Sequence, residues 1–277
     1  TIDNTAPSVS VNLGGVADAT YKVGDTLGFT LTTSEAVDVV TSGGTPQFQL
    51  SNNAYAVYSS GSGSNGLTFS YTVAEGNTDS ADLSVANQAI AANGGAMTDA
   101  AGNAASLTVS FAAGAHAVVV DANSPAFSSV SANDGSYGVG ETVAITVTWG
   151  EAVAVTGTPQ ITLSNGKTLS YTSGTGSANL VFSYTVADGD TSSTDGSLAV
   201  SSLSLNGGTI RDTAGNDAAT SVSGDLGDVL IDGDAADMTG CAATTGDYGV
   251  GEALSIVCTW DEAVTVTGTP TVTLDNG

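Results

Sequence analysis

The chain has 277 residues, 41% of them hydrophobic, and sets 28 acidic side chains against three basic ones, Lys22, Lys167 and Arg211, for a formal net charge of -25. That balance excludes nucleic acid and anionic membrane as partners, because nothing in the chain would neutralise phosphates. It calls instead for hydrated and screened carboxylates or for a bound cation, with ordinary acidic solubility as the simpler reading.

In chain order, Thr1–Pro7 reads as a polar linker that feeds a strand, SVSVNL. Thr26–Thr33 alternates, with Leu27, Phe29 and Leu31 on one face, and an acidic corner at Glu35 separates it from a further extended piece, Val37–Val40. Gln47–Leu50 and Tyr55–Tyr58 flank a tight turn at Asn52–Asn53. Gly66–Val73 alternates again, with Leu67, Phe69, Tyr71 and Val73 together. An acidic loop, Glu75–Asp82, precedes a strand within Leu83–Ile90. The loop Asp99–Asn103 follows, and then closing strands at Leu107–Phe111 and up to Val120. About seven strands result, with no segment of helical period, and a Greek-key sandwich is the economical fold.

The block Tyr21–Pro46 recurs as Tyr137–Pro159 (YGVGETVAITVTWGEAVAVTGTP) and Tyr248–Pro270. The copies start 116 and 111 residues apart, the length of one β-sandwich rather than of a solenoid turn. The expected fold class is therefore all-β: tandem immunoglobulin-like Greek-key β-sandwiches in an extended arrangement. The expected units are 1–119, 120–230 and 231–277, the last incomplete, in a segment of something longer. In the second unit Val143, Ile145, Val147 and Trp149 share a face, and Asn165-Gly166 signals a hairpin.

Cys241 and Cys258 fall where the second unit has Val130 and Val147, on adjacent strands. A disulfide is expected there, which suits an extracellular or oxidising setting; two inert buried thiols are the alternative. No enzyme is expected. The one histidine, His116, has no partner pattern, and neither a Ser/His/Asp set nor zinc spacing is present.

Oxygen ligands in short, turn-rich loops suit Ca²⁺. Strand parity places Asp99–Asn103 beside Asp3 and Asp212–Asn216 beside Asp121, and brings the Glu35, Glu151 and Glu262 corners to the same ends. Asp18, Asp25, Glu75, Asp79 and Asp82 are expected at the far end of the first unit, facing the next linker. Like charges so gathered repel unless a cation clamps them. The competing reading is that these Asp and Asn side chains simply make turns.

The repeats resemble the bacterial immunoglobulin-like repeats of giant calcium-dependent surface adhesins, the type I-secreted (RTX-type) proteins and related cyanobacterial cell-surface proteins. The residues that carry the resemblance are the Asp-x-x-x-Pro linkers at Asp3–Pro7 and Asp121–Pro125 and the Val-Gly-Asp/Glu turns at 23–25, 139–141 and 250–252. With them go the Glu-Ala-Val corners at 35–37, 151–153 and 262–264, and the Asp-x-Ala-Gly-Asn loops at 99–103 and 212–216. The resemblance implies an extender segment at a bacterial cell surface or in a secreted adhesin, serving cell adhesion or biofilm and stiffened by Ca²⁺ at its joints. It implies metal roles for Asp99, Asn103, Asp212 and Asn216 with the linker acids Asp3, Asp121 and Asp232. The third linker, DGDAAD, departs from the pattern by lacking the proline. The expected partners are neighbouring repeats and other copies of the chain. A sheath, surface-layer or filament subunit and a glycan- or protein-binding module are the alternatives.

Overall fold

The computed structural model describes residues 2–114, 116–192 and 198–275. All regular structure in them is β, so none of it is a helix long and apolar enough to cross a membrane. The first unit contains β1 (Val9–Gly14), β2 (Ala19–Tyr21), β3 (Thr26–Val40), β4 (Gln47–Gln49), β5 (Tyr55–Ser60) and β6 (Ser64–Thr72). It continues with β7 (Thr78–Asp79), β8 (Val85–Ala89), β9 (Ala96–Thr98), β10 (Thr108–Phe111) and β11 (Val118–Asp121). The second holds β12 (Phe127–Ala132), β13 (Gly135–Tyr137), β14 (Thr142–Thr156), β15 (Gln160–Leu163) and β16 (Thr168–Ser173). Then come β17 (Ser177–Thr185), β18 (Ala199–Ser204), β19 (Thr209–Arg211), β20 (Gly224–Asp225) and β21 (Val229–Ile231). A hairpin of β22 (Met238–Ala243) and β23 (Ile256–Trp260) follows.

These strands build tandem immunoglobulin-like sandwiches. One sheet runs β1-β3-β6-β5-β4 and its counterpart β12-β14-β17-β16-β15-β18-β20. Each unit has its own core, and the alternating faces supply it. Leu27, Phe29, Leu31, Leu67 and Phe69 are buried in the first, and Val143, Ile145, Val147, Trp149 and Phe182 in the second. Phe29 meets Phe48 and Phe111 edge-on at 5.7 Å, the offset geometry that aromatic quadrupoles favour.

The expected corner at Glu35 is not a break between strands. β3 is continuous over Thr26–Val40 and changes sheet, pairing β6 as far as Val37 with a register shift after Thr32, and β9 from Asp38. No glycine or proline interrupts TTSEAV, so nothing ends the strand there. Instead Thr33 absorbs the bend, its hydroxyl donating to the carbonyls of Glu35 (2.6 Å) and Asn65 (3.1 Å). β14 likewise runs on past Glu151, pairing β17 as far as Val153 with a register shift after Thr148, and β19 from Ala154. Short strands such as β2, β7 and β11 also take each unit beyond the expected seven.

Cys241 and Cys258 stand directly opposite on β22 and β23 and are joined in a disulfide, at the positions where Val130 faces Val147. The bridge lies outside both buried cores. A reductant is therefore expected to leave the thermal transitions of the first two units unchanged and to loosen only the last hairpin. Calorimetry with and without reductant checks this.

Candidate metal centre

The Val-Gly-Asp/Glu turns are self-contained. Asp25, Glu141 and Glu252 each accept the backbone N–H three residues earlier, from Lys22 (3.0 Å), Gly138 (2.8 Å) and Gly249 (2.6 Å). The glycines between them sit at φ near +90°, which a side chain rarely adopts. Tyr21, Tyr137 and Tyr248 each donate a hydroxyl to the carbonyl four residues back, pinning the same turns. These acids are consumed locally as turn caps.

At the other end of the first unit, Asp3, Glu35 and Asp99 bring carboxylate oxygens within 4.8 Å of one another, in the only such group of three among the described residues. Asp3 comes from the linker, Glu35 from the bend in β3, and Asp99 from the loop after β9. Burial raises the Glu35 carboxyl above its usual value, and the charges of Asp3 and Asp99 raise it further. Asp99 is held low, chiefly by the Asn103 side chain and then by backbone N–H groups of its loop.

The loop also shows what Asn103 does. Asp99 Oδ1 accepts the N–H groups of Ala101 and Asn103, both at 2.8 Å. Asn103 Nδ2 donates to Asp99 Oδ2 (2.7 Å) and to the linker carbonyls of Asp3 (3.2 Å) and Thr5 (3.3 Å). The amide thus staples the loop to the linker, while the carboxylates of Asp3, Glu35 and Asp99 form the all-oxygen set.

The second unit repeats the arrangement. Asp212 Oδ1 accepts from Gly215 and Asn216, and Asn216 Nδ2 reaches Asp212 Oδ2 and the Asp121 carbonyl, both at 2.8 Å. Asn216 Oδ1 in turn accepts the N–H of Val23 at 2.9 Å, a direct tie to the turn of the preceding unit. Burial raises Glu151, and Asp212 and then Asp121 raise it more. In the last segment burial raises Glu262, with Asp232, Asp261 and Asp234 adding to it. Eight of the nine candidate ligands thus lie at the first two linkers, with Asn103 and Asn216 acting as staples, while Asp232 lies near Glu262.

The far-end acids behave differently from expectation. Asp82 is buried and caps the N–H groups of Gly114 and Val118, Asp79 holds Ser51, and Asp18 holds Ala117. Only Glu75 of this set grips the linker, accepting from the N–H (2.9 Å) and hydroxyl (2.8 Å) of Ser124. Asp190, which sequence reading passed over, plays a related part. Its carboxylate is held low mainly by Lys167, and its carbonyl accepts from Gly233 of the third linker. The Lys–Asp pairing spans a hairpin and carries no local signal. His116 stacks on Phe111 and faces Asp18 at 3.8 Å; no catalytic arrangement is assembled among the described residues.

A pH dependence follows for the metal-free chain. Glu35, Glu151 and Glu262 are raised above 4.5, so their contribution to stability is complete below that value and is lost as pH rises through the folded values. Asp99 and Asp190 are lowered from 3.8, so theirs is present above that value and is lost as pH falls through the folded ones. In chelator the melting temperature is expected to rise from pH 7 toward mild acid before falling again, as a pH series of melts would show.

No family model and no curated protein matches this sequence. Among solved structures, the titin I-band fragment I67-I69 matches with a TM-score of 0.30 and 10% identity, over 83% of this chain and 66% of that one. An E-to-A variant of the same three-domain titin segment matches with the same TM-score and identity, over 82% of this chain and 65% of the other. The chain thus spans just under two thirds of each titin chain. Similarity at this level assigns neither a family nor a function.

Proposed function

We propose that the chain is a structural extender segment of a bacterial cell-surface or secreted adhesin, its joints stiffened by Ca²⁺ held between linker, strand bend and loop. The observation that carries this reading is the Asp3–Glu35–Asp99 group, where three carboxylates from three separate elements meet within 4.8 Å beside a linker. Carboxylates at that spacing repel, and a hard cation with six to eight oxygen ligands, some of them backbone carbonyls or water, resolves the repulsion. In this reading Asp121, Glu151 and Asp212 hold the second ion, and Asp232 with Glu262 contributes at the third linker. Asn103 and Asn216 fix the loops against the linkers.

The physical consequence would be mechanical. The second loop contacts Val23 of the preceding unit through Asn216, so ordering that loop also orders the joint. Small-angle scattering of the whole chain in Ca²⁺ and in chelator tests this. A longer maximum dimension and a narrower distance distribution in Ca²⁺ support the extender. Identical curves, with no Tb³⁺ luminescence sensitised by the chain, overturn it. Growth of the scattering mass with concentration would point to the filament reading.

A further inference from the structure

The three basic side chains of the chain are used differently. Among the described residues Lys167 pairs with Asp190 and Arg211 with Asp217, whereas the Lys22 ammonium has no carboxylate oxygen within 4.0 Å. Gly138 and Gly249 hold the place of Lys22 in the two later Val-Gly-Glu turns, so only the first unit presents a cation there.

Lys22 reaches into the second unit instead. A Cβ placed on Gly215 would stand 3.3 Å from Lys22 Cδ and 3.7 Å from Cε, so the side chain lies along the open face of that glycine. Gly215 belongs to the Asp212–Asn216 loop, and its N–H donates to Asp212 Oδ1 at 2.6 Å. The neighbour on each side completes the contact, Asn216 Oδ1 accepting the Val23 N–H at 2.9 Å. The ammonium, one bond beyond Cε, is thus set beside the loop that carries Asp212 without pairing with it. At Gly102, the matching position in the first unit, a Cβ would meet nothing within 4 Å. The carboxylates differ in step with this. Asp3, Glu35 and Asp99 close to within 4.8 Å of one another, and Asp121, Glu151 and Asp212 do not.

We infer, on the calcium reading proposed above, that Lys22 is a built-in counter-ion for the joint between the first two units, supplying at the second linker part of the positive charge that Ca²⁺ supplies at the first. A unit charge held at this range attracts the carboxylates around the linker and repels a divalent ion entering among them. The joint then holds together without metal, and its calcium site fills at a higher concentration than the Asp3–Glu35–Asp99 site. A single Lys in place of Gly thereby sets the order in which the two sites load as calcium rises.

Lys22→Met keeps the stem on Gly215 and removes the charge, while Lys22→Arg keeps both. The test is a calcium titration of the whole chain read by NMR at the Asn103 and Asn216 side-chain amides, with hydrogen exchange of the Val23 N–H measured in chelator. In the parent chain the Asn216 midpoint is expected at least about twofold above the Asn103 midpoint. Lys22→Met is expected to lower the Asn216 midpoint by about two- to fivefold, to leave Asn103 unmoved, and to speed Val23 exchange in chelator by about the same factor. Lys22→Arg should stay near the parent values. If both sites still titrate but Lys22→Met changes neither the Asn216 midpoint nor Val23 exchange, Lys22 serves only as packing, and the inference is overturned while the calcium reading stands. An equal shift at Asn103 would reduce the effect to general surface charge and overturn it as well. If neither amide responds to calcium in the parent chain, the calcium reading and the counter-ion fall together.

Discussion

Calcium at about 10 mM is expected to raise the melting temperature of the first two units by about 6–11 °C over the same chain in chelator. Extracellular calcium modules have Kd values of roughly 0.1–1 mM, so this concentration is about 10–100 times Kd. Binding to the folded state alone then stabilises each site by about 1.4–2.7 kcal/mol, and each kcal/mol moves a domain of this size by about 4 °C. The first unit should respond at least as strongly as the second, because its carboxylates already stand within 4.8 Å. The gain should persist in about 0.5 M sodium chloride, where screening removes generic relief of surface repulsion. Equal gains from sodium chloride and calcium in differential scanning calorimetry would reduce the acidity to ordinary surface charge.

Asp212→Ala is expected to destabilise the second unit by about 3 kcal/mol, because it strips acceptors from a buried loop. Asp212 is 5% exposed and takes hydrogen bonds from Gly215 and Asn216 and from the Asn216 side chain. Losing it also frees the amide that holds the Asp121 carbonyl and Val23, so the joint with the first unit should loosen. Asp212→Asn separates the two roles of the residue. The amide oxygen can still accept both backbone N–H groups, so the cost should fall to about 1 kcal/mol, while the calcium response of the second unit disappears with the charge. A variant that melted like wild type in chelator and kept the whole calcium response would show that Asp212 serves the turn alone. Chemical denaturation with and without calcium reads both quantities.

Which acids cap turns and which gather was only partly legible in the sequence. The loops Asp99–Asn103 and Asp212–Asn216 were visible as repeats, and strand parity was enough to place them near Asp3 and Asp121. Their second role was hidden, because a side-chain amide that reaches a linker about 100 residues away leaves no local pattern. Asp25, expected at the far end of the first unit facing the next linker, instead closes its own turn, as Glu141 does in the second unit. Glu75 and Asp190 reach the linkers through pairings that arise only once hairpins have brought distant residues together.

By itself the sequence determined the all-β class, the repeat and the buried faces, and it placed Cys241 opposite Cys258, while the structure joins them in a disulfide. Period-two alternation and register between copies are local properties, and burial of one strand face follows directly from them. Only the tertiary structure decided that β3 and β14 run unbroken through Glu35 and Glu151, because each strand changes sheet there instead of turning, in β3 with Thr33 bonding across the bend. It also decided that three carboxylates from three elements converge at the first linker. Those features depend on which strands become neighbours, and that is fixed by packing across the whole sandwich.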